Sequence, residues 1–479
     1  MDLLKAKAFL IKIMVGYWLL MVVIYCVSFR QFKYSEATSV SPLQSRIINE
    51  IVDGEVVRQK VTVPEGRLES ISLMTATYDR VNLGTMNICL ENQVGEVITR
   101  GTFSVAEAKN NAYTRIDLTE PLEGYGSQDL TLVLYTEGCG PDNAITIYAG
   151  DRFETGTSVD DTQYVQIGNR VDPVMLCVSL KTVFERRFYK TFWAITGGFF
   201  LIVLLTGIYW WRQWMRGRNN PLVAVCALAT RYSLLFRQLV SRDFKSKYKR
   251  SVLGIFWSFL NPLLTMIVQY IVFSTLFKNS IENFPVYLLT GIVFFNFFNE
   301  AVNMGMTSIT GNASLIKKVY MPKYIYLLSR IASSMINFML ALIPLFLVIL
   351  ITKTKLCLSM LLLVFDILCL LGFVTGMGLL LTTSMTFFQD TQFLWNVISM
   401  IWMYLTPLFY PETIIPDSWI HLYRLNPLYQ FITFARTCII QGVSPQPEMY
   451  LGCVASACIV LLLGITVFKR FQDRFILYL

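Results

Sequence analysis

Charge is scarce in this chain. Only 15% of its 479 residues are Asp, Glu, Lys or Arg, against about a quarter in ordinary soluble proteins. Histidine is scarcer still, with His421 alone. The ten cysteines form no C-x-x-C pair, so a zinc ribbon or mixed His/Cys metal site has no ligand set. No G-x-x-x-x-G-K-[ST] occurs, so no loop of the usual kind can cradle nucleotide phosphates. Catalytic acids do not cluster beside any apolar segment, and Asp390 stands alone in its short loop. These absences exclude a soluble enzyme, a metalloprotein and a self-sufficient ATPase.

Apolar sequence is plentiful: 54% hydrophobic and 14% aromatic residues, in runs long enough to cross a bilayer. Eight runs of about 20 residues qualify as spans: 9–29, 193–211, 253–277, 284–307, 324–351, 356–384, 393–408 and 451–468. The formal charge of +9 belongs to basic residues beside these runs. Membrane orientation by the positive-inside rule explains that charge without a nucleic-acid partner. It puts Lys5, Lys7 and Lys12, the basic run 231–250, Lys317, Lys318 and Lys323, and the basic tail in the cytosol. An even number of spans returns both termini to that side. Arg186, Arg187 and Lys190 break the rule beside a long translocated segment, where it holds poorly. The first run has no A-x-A-like cleavage site and has bulky Tyr25 before Cys26, so it is expected to be a retained anchor rather than a leader.

Between the first two spans the pattern changes. LESISLMTATY, TMNICLEN, EVITRGTFSV, YTRIDL, LTLVLYT and AITIYAG alternate in polarity and are separated by Gly, Asn, Asp and Pro. Such strands predict an antiparallel β-sandwich, which the topology puts outside the cytoplasm. There Cys89 and Cys139 could pair, leaving Cys177 over, or all three could stay free thiols. Tyr78, Arg80, Asn82 and Tyr113 have the chemistry of sugar contacts.

Ahead of the third span, Phe236, Leu239, Val240, Phe244 and Tyr248 fall at i, i+3, i+4, i+8 and i+12, one apolar stripe of a helix. Arg237, Arg242, Lys245, Lys247, Lys249 and Arg250 cover the rest. A helix so patterned lies in the membrane interface with its cations toward the cytosol, as an anchor or as a dock.

The wording from here onward is more specific. RDFKSKYKRSVLGIFWSFLNPLL (242–264) resembles the start of the permease subunits of polysaccharide-exporting ABC transporters, the O-antigen and teichoic acid exporter class of ABC-2 type. The resemblance continues through SLIKKVYMPKYIYLLSRI (314–331), TFFQDTQFLWNVISMIWMYLTPLFYP (386–411), RLNPLYQFITFARTCIIQG (424–442) and FKRFQDRFILYL (468–479). It covers about 233–479, half of the chain.

The resemblance implies a six-helix ABC-2 core, and ordinary members of the family begin near the interface helix. With the two N-terminal spans and the strands read above, the expected fold is an all-α polytopic membrane protein with two additional N-terminal spans and an inserted extracytoplasmic β-sandwich. The expected domains are an anchor at 1–30, the β-sandwich at 31–188, a second span at 189–212, linker and interface helix at 213–250, and the permease core at 251–479. It also implies a separate ATPase subunit in two copies, carrying ATP and Mg, on a homodimer of this chain, which itself binds no cofactor. That ATPase would meet Phe236, Arg237, Arg242, Phe244, Lys245 and Tyr248, and a coupling loop with Ser314, Leu315, Lys317, Lys318, Tyr320 and Pro322. Lys317 and Lys318 could equally serve as topology charges alone.

The segment 410–446 is broken by Pro411, Pro416, Pro427, Gly442 and Pro445, and in the family such a segment forms a re-entrant outer gate. Sugar rings stack on aromatic faces, so Phe294, Phe295, Phe298, Trp402, Tyr404 and Tyr410, with Glu300 and Arg436, are candidates for a glycan pore, although aromatics also pack helices and form interface belts.

The expected function is the transmembrane subunit of an ABC exporter of lipid-linked cell-surface polysaccharide in the bacterial cytoplasmic membrane, with no enzyme activity of its own. The β-domain would bind emerging cell-envelope glycan, dock a wall enzyme or act as a spacer. Alternatives are an ABC-2 permease for another lipid or a drug, and a gradient-driven glycolipid flippase using Glu300 and Asp366.

Overall fold

The computed structural model describes the chain apart from residues 1–2, 40, 43, 79, 109, 152–163, 169, 187, 217–230, 250–251, 278–282, 319–320, 416 and 479. It divides into two compact units, a helical one of Met1–Gln31 and Phe188–Leu479, and a β unit of Phe32–Arg187.

Period-2 alternation in the β unit produces thirteen described strands, all paired antiparallel. β1 (Tyr34–Thr38) pairs with β13 (Val178–Glu185), which pairs with β4 (Arg67–Ala76) and through it β7 (Ala112–Leu122). A second wing runs β6 (Val97–Ser104), β5 (Thr85–Glu91), β8 (Asp129–Glu137) and β3 (Val56–Thr62), and touches β7 only at Gly101. Ile71 and Leu180 from the first wing share one apolar core with Ile88, Leu132 and Val57 from the second. Two wings with a common core are the sandwich that the alternating pattern predicts.

The proposed Cys89–Cys139 disulfide is absent, and both residues are buried free thiols. Cys139 packs beside Gly84, whose Cβ, if present, would lie 2.5 Å from its sulfur. Cys89 is five residues further along the strand, roughly 16 Å at a strand's rise, far beyond the Cα separation of about 7 Å that a disulfide can bridge. Asn82 is also no surface contact, being buried and donating to the Thr77 carbonyl at 3.3 Å. Arg80 stands over the Tyr78 ring at 4.9 Å and is hydrogen-bonded to Glu50, while the Tyr113 hydroxyl donates to Ser41 at 2.9 Å.

In the helical unit, α1 (Leu3–Lys33) and α2 (Phe188–Met215) pack through an aromatic ladder that includes Trp18 against Phe200 at 5.1 Å and Tyr25 against Trp193 at 5.0 Å. The buried Ser28 of α1 joins Tyr450 at 2.8 Å and Ser444 at 2.7 Å. Then follow α3 (Ser233–Tyr248), α4 (Phe256–Phe277), α5 (Phe284–Met306), the short α6 (Ala313–Lys318), α7 (Tyr324–Ile351), α8 (Leu363–Phe387) and α9 (Thr391–Leu405). The chain ends with α10 (Asp417–Arg424), α11 (Pro427–Arg436), a π-turn at Thr437–Gln441, α12 (Pro447–Phe471) and α13 (Phe475–Tyr478).

Among the described residues, seven helices are long and apolar enough to cross a membrane. The eighth expected span, 393–408, is instead the 15-residue α9. At 1.5 Å per residue that is about 22 Å, short of a hydrocarbon core of about 30 Å. Thr406 is extended, as a residue before proline tends to be, and Pro407 ends the helix early. The segment 410–446 divides into short helices at its prolines, as its composition predicts.

Candidate coupling face and polar cavity

α3 buries Leu239 and Val240 from the expected stripe, with Phe236, Phe244 and Tyr248 partly covered. Arg237, Arg242, Lys245 and Lys249 are exposed. The stripe also contains Asp243, whose side chain is 4% exposed. Arg242 meets it at 2.8 Å and Arg330 of α7 approaches it at 3.4 Å. A buried carboxylate is tolerated only when paired, and removing a partner from such a cluster typically costs about 3–5 kcal/mol. Arg242 also donates to Asn312 at 2.9 Å, and Asn312 donates to the Ser308 carbonyl at 2.8 Å. One ion-paired cluster thus fastens the basic helix both to α7 and to the turn that leads into α6.

α6 and its flanks form a compact turn. Ile316 and Met321 are buried, while Ser314, Lys317 and Lys318 are exposed and Leu315 and Pro322 are half-buried. Tyr320 lies outside the described residues. Lys323 donates to the Gln472 carbonyl and stands 5.5 Å from the Phe475 ring. Phe387, at the end of α8, packs on Phe475 at 5.8 Å and on Tyr478 at 4.8 Å. The basic helix, the short turn and the C-terminal tail therefore converge at one end of the helical unit.

The last turn of α3 reaches a second polar group. Lys247 meets Glu300 of α5 at 2.8 Å, Asn337 of α7 donates to Glu300 at 2.6 Å, and Tyr248 donates to Asn337 at 2.8 Å. Tyr248 also shares a hydrogen bond with Ser258 of α4. These groups border a cavity of about 260 Å³ between α3, α4, α5 and α7. Of the residues here, only Glu300 and Tyr248 stood among the site residues expected from the sequence. The remainder had a signal: Asn296, Glu300 and Asn303 recur at helical spacing on α5, as do Arg330, Ser333, Ser334 and Asn337 on α7. Polar stripes on otherwise apolar spans face protein or water rather than lipid.

The expected glycan pore fares differently. Phe294, Phe295 and Phe298 are buried within this one chain. Phe294 packs on Phe338 at 5.4 Å, and Phe298 lies against Trp402 at 5.4 Å, Phe373 at 5.9 Å and Trp395 at 6.1 Å. These rings fill helix–helix contacts, so in this structure they line no open path. Trp402 is tied further by donating to Asn426 at 2.7 Å. Tyr404 is exposed, and Tyr410, partly covered, donates to the Tyr404 carbonyl at 2.8 Å.

Arg436 is buried, with its guanidinium 3.4 Å from the Tyr287 ring centroid. It donates to the carbonyls of Pro407 at 2.7 Å, Leu408 at 3.0 Å and Tyr287 at 3.2 Å. Its charge is spent on the backbone just after α9, which stops short of Pro407. It is a staple of the broken segment, not a pore residue.

Comparison with known proteins agrees with this geometry. Residues 234–440 match the family model of the ABC-2 type transporter. An O-antigen export system permease, RfbA, of Myxococcus xanthus is 27% identical over 247 residues, covering 51% of this chain and 95% of the relative. The corresponding Klebsiella pneumoniae permease is 30% identical over 242 residues, covering 50% and 92%. The capsule polysaccharide export inner-membrane protein CtrC of Neisseria meningitidis is 23% identical over 246 residues, covering 50% and 90%. Every one of these alignments covers about half of the present chain. The matched segment holds α3, the α6 turn, the cavity and the stapled segment, and the chain belongs to the ABC-2 type transporter family.

Proposed function

We propose that this chain is the transmembrane subunit of an exporter that moves a lipid-linked cell-surface polysaccharide across the cytoplasmic membrane, driven by ATP hydrolysis on a separate subunit. The relatives' names supply the substrate class. The observation that carries the coupling is the cluster of Asp243 with Arg242, Arg330 and Asn312, which makes α3 and the α6 turn one mechanical piece. Its exposed cations, Arg237, Lys245, Lys317 and Lys318, offer a basic face to an ATPase. In this reading the basic end, with both termini, lies in the cytosol, α9 and the broken segment after it together carry the chain across between α8 and α12, and the β unit lies outside. Two copies of the chain form the path, with two ATPase subunits beneath, and the β unit meets the emerging glycan.

The test is ATP hydrolysis by the purified chain, alone and co-expressed with an ATPase encoded beside it. Turnover is expected only in the complex. Reversing Lys317 and Lys318 to Glu, or changing Asp243→Ala, should remove the ATPase subunit on purification or uncouple its turnover from export. A second reading, a gradient-driven flippase, draws on Asp366, which is buried with neither carboxylate oxygen hydrogen-bonded among the described residues. Glycan transport that persists with no ATPase bound, and stops in Asp366→Asn, would select it and reject the first.

A further inference from the structure

Taking the export reading as its basis, we infer that the cavity between α3, α4, α5 and α7 is a subsite for one neutral sugar ring of the exported glycan.

Its lining has the chemistry for that ligand. Asn261 of α4 and Asn296 of α5 both border it, are exposed, and carry carboxamides with no hydrogen-bond partner among the described residues. A carboxamide offers two donors and an acceptor, the set that vicinal hydroxyls satisfy. Idle polar groups of this sort within an apolar bundle are costly unless something wet meets them. Apolar ring faces complete the walls: Trp257 is 44% exposed, and Phe297 and Phe338 pack on each other at 4.6 Å. A few convergent polar groups set among aromatic walls is the usual form of a small-ligand site. The volume, about 260 Å³, suits a single ring rather than a chain.

Charge then chooses among ligands. Among the described residues bordering the cavity, Lys247 is the one cation and Glu300 the one anion, and they are paired at 2.8 Å. Among the described residues no cation is left for a phosphate or a uronate, whereas the two carboxamides of Asn261 and Asn296 remain for hydroxyls. The cavity also borders the coupling face. Lys247 and Tyr248 form its wall on α3, the helix that Asp243 fastens to α7. A ring bound here therefore changes the setting of α3, and any shift of α3 alters the affinity for the ring in equal measure.

The experiment uses a strain deleted for this gene, complemented with full-length variants, with surface polysaccharide quantified and each variant co-purified with the ATPase as a check of assembly. The Asn261→Leu/Asn296→Leu double variant is expected to assemble and to lower surface glycan about tenfold, a change worth about 1.4 kcal/mol. Trp257 provides the second arm, because a partly exposed ring is replaced without disturbing the packing. Trp257→Leu should lose export and Trp257→Phe, which keeps an aromatic face, should recover roughly half of it or more. In a third arm, saturation-transfer NMR on the wild-type complex in lipid nanodiscs should detect maltotriose and not trigalacturonate. Wild-type export by both Leu variants, or transfer to the anionic trisaccharide alone, overturns the subsite while leaving the export reading intact. If deleting the gene does not change surface polysaccharide and the wild type adds none, the export reading fails and the subsite falls with it.

Discussion

At the scale of single residues, Arg436 shows how a charge settles inside an apolar unit. Three backbone carbonyls and the Tyr287 ring surround it, and space for it exists because residue 291 is glycine. A Cβ at Gly291 would lie 2.8 Å from its Nη2. Arg436→Lys, a point charge in place of a planar fork, should lose at least two of these charge-assisted bonds, about 3 kcal/mol in all. A lower unfolding temperature of the solubilised protein would show it, and Gly291→Ala should act in the same direction. In the β unit, the hydrogen bond from Arg80 holds Glu50 below the usual carboxylate range. A depressed carboxylate contributes stability that is complete above its unfolded value of about 4.3 and disappears as pH falls through the lower folded value. Relative to the intrinsic exchange rate at each pH, the protection of amides around Arg80 in the full chain should therefore fall at acid pH in the wild type, and in Glu50→Gln it should be low already at neutral pH. Arg436 and Glu50 were visible in sequence as residues but not as partners, since their contacts come from 149 and 30 positions away.

At the scale of elements, α8 and α12 bring their backbones into close contact at two glycines. A Cβ at Gly376 would come within 2.5 Å of the Val460 backbone, and one at Gly464 within 2.4 Å of the Gly376 carbonyl. Small residues that let backbones touch are the usual device where lipid supplies no hydrophobic drive. Gly464→Leu should push the helices apart at a cost of at least about 1–3 kcal/mol. Reduced yield of monodisperse protein and a lowered unfolding temperature would check this, and a wild-type melt would refute it. The spans were legible because length and hydropathy are local properties. α9 was misjudged because the run 393–408 continues in composition through a proline that stops the helix. α3 was legible as an amphipathic helix, while Asp243 escaped notice because a pattern of apolar spacing gives no sign that its one acidic member has partners on another helix.

At the scale of the whole molecule, the β unit is an insertion with adjoining ends. Tyr34 of β1 and Glu185 of β13 are directly paired, so their Cα atoms lie about 5 Å apart, with α1 ending just before the one and α2 beginning just after the other in the chain. Replacing residues 34–185 with a short Gly-Ser turn should leave the helical unit able to assemble with its ATPase, as co-purification will measure. Surface glycan from the same variant then tells whether the β unit takes part in export. By itself the sequence determined the membrane class, the alternating β segment, the basic helix ahead of the core and, through five quoted motifs, the family, since each rests on residue type and local spacing. Only the tertiary structure decided which polar residues meet. It buried the aromatic run at Phe294–Phe298 that looked like a pore, turned Arg436 into a staple, and brought Lys247, Glu300 and Asn337 together around one cavity. The physical reason is that desolvation makes every buried charge and amide find a partner or a wet surface, and in a bundle that partner lies on another helix far away in sequence.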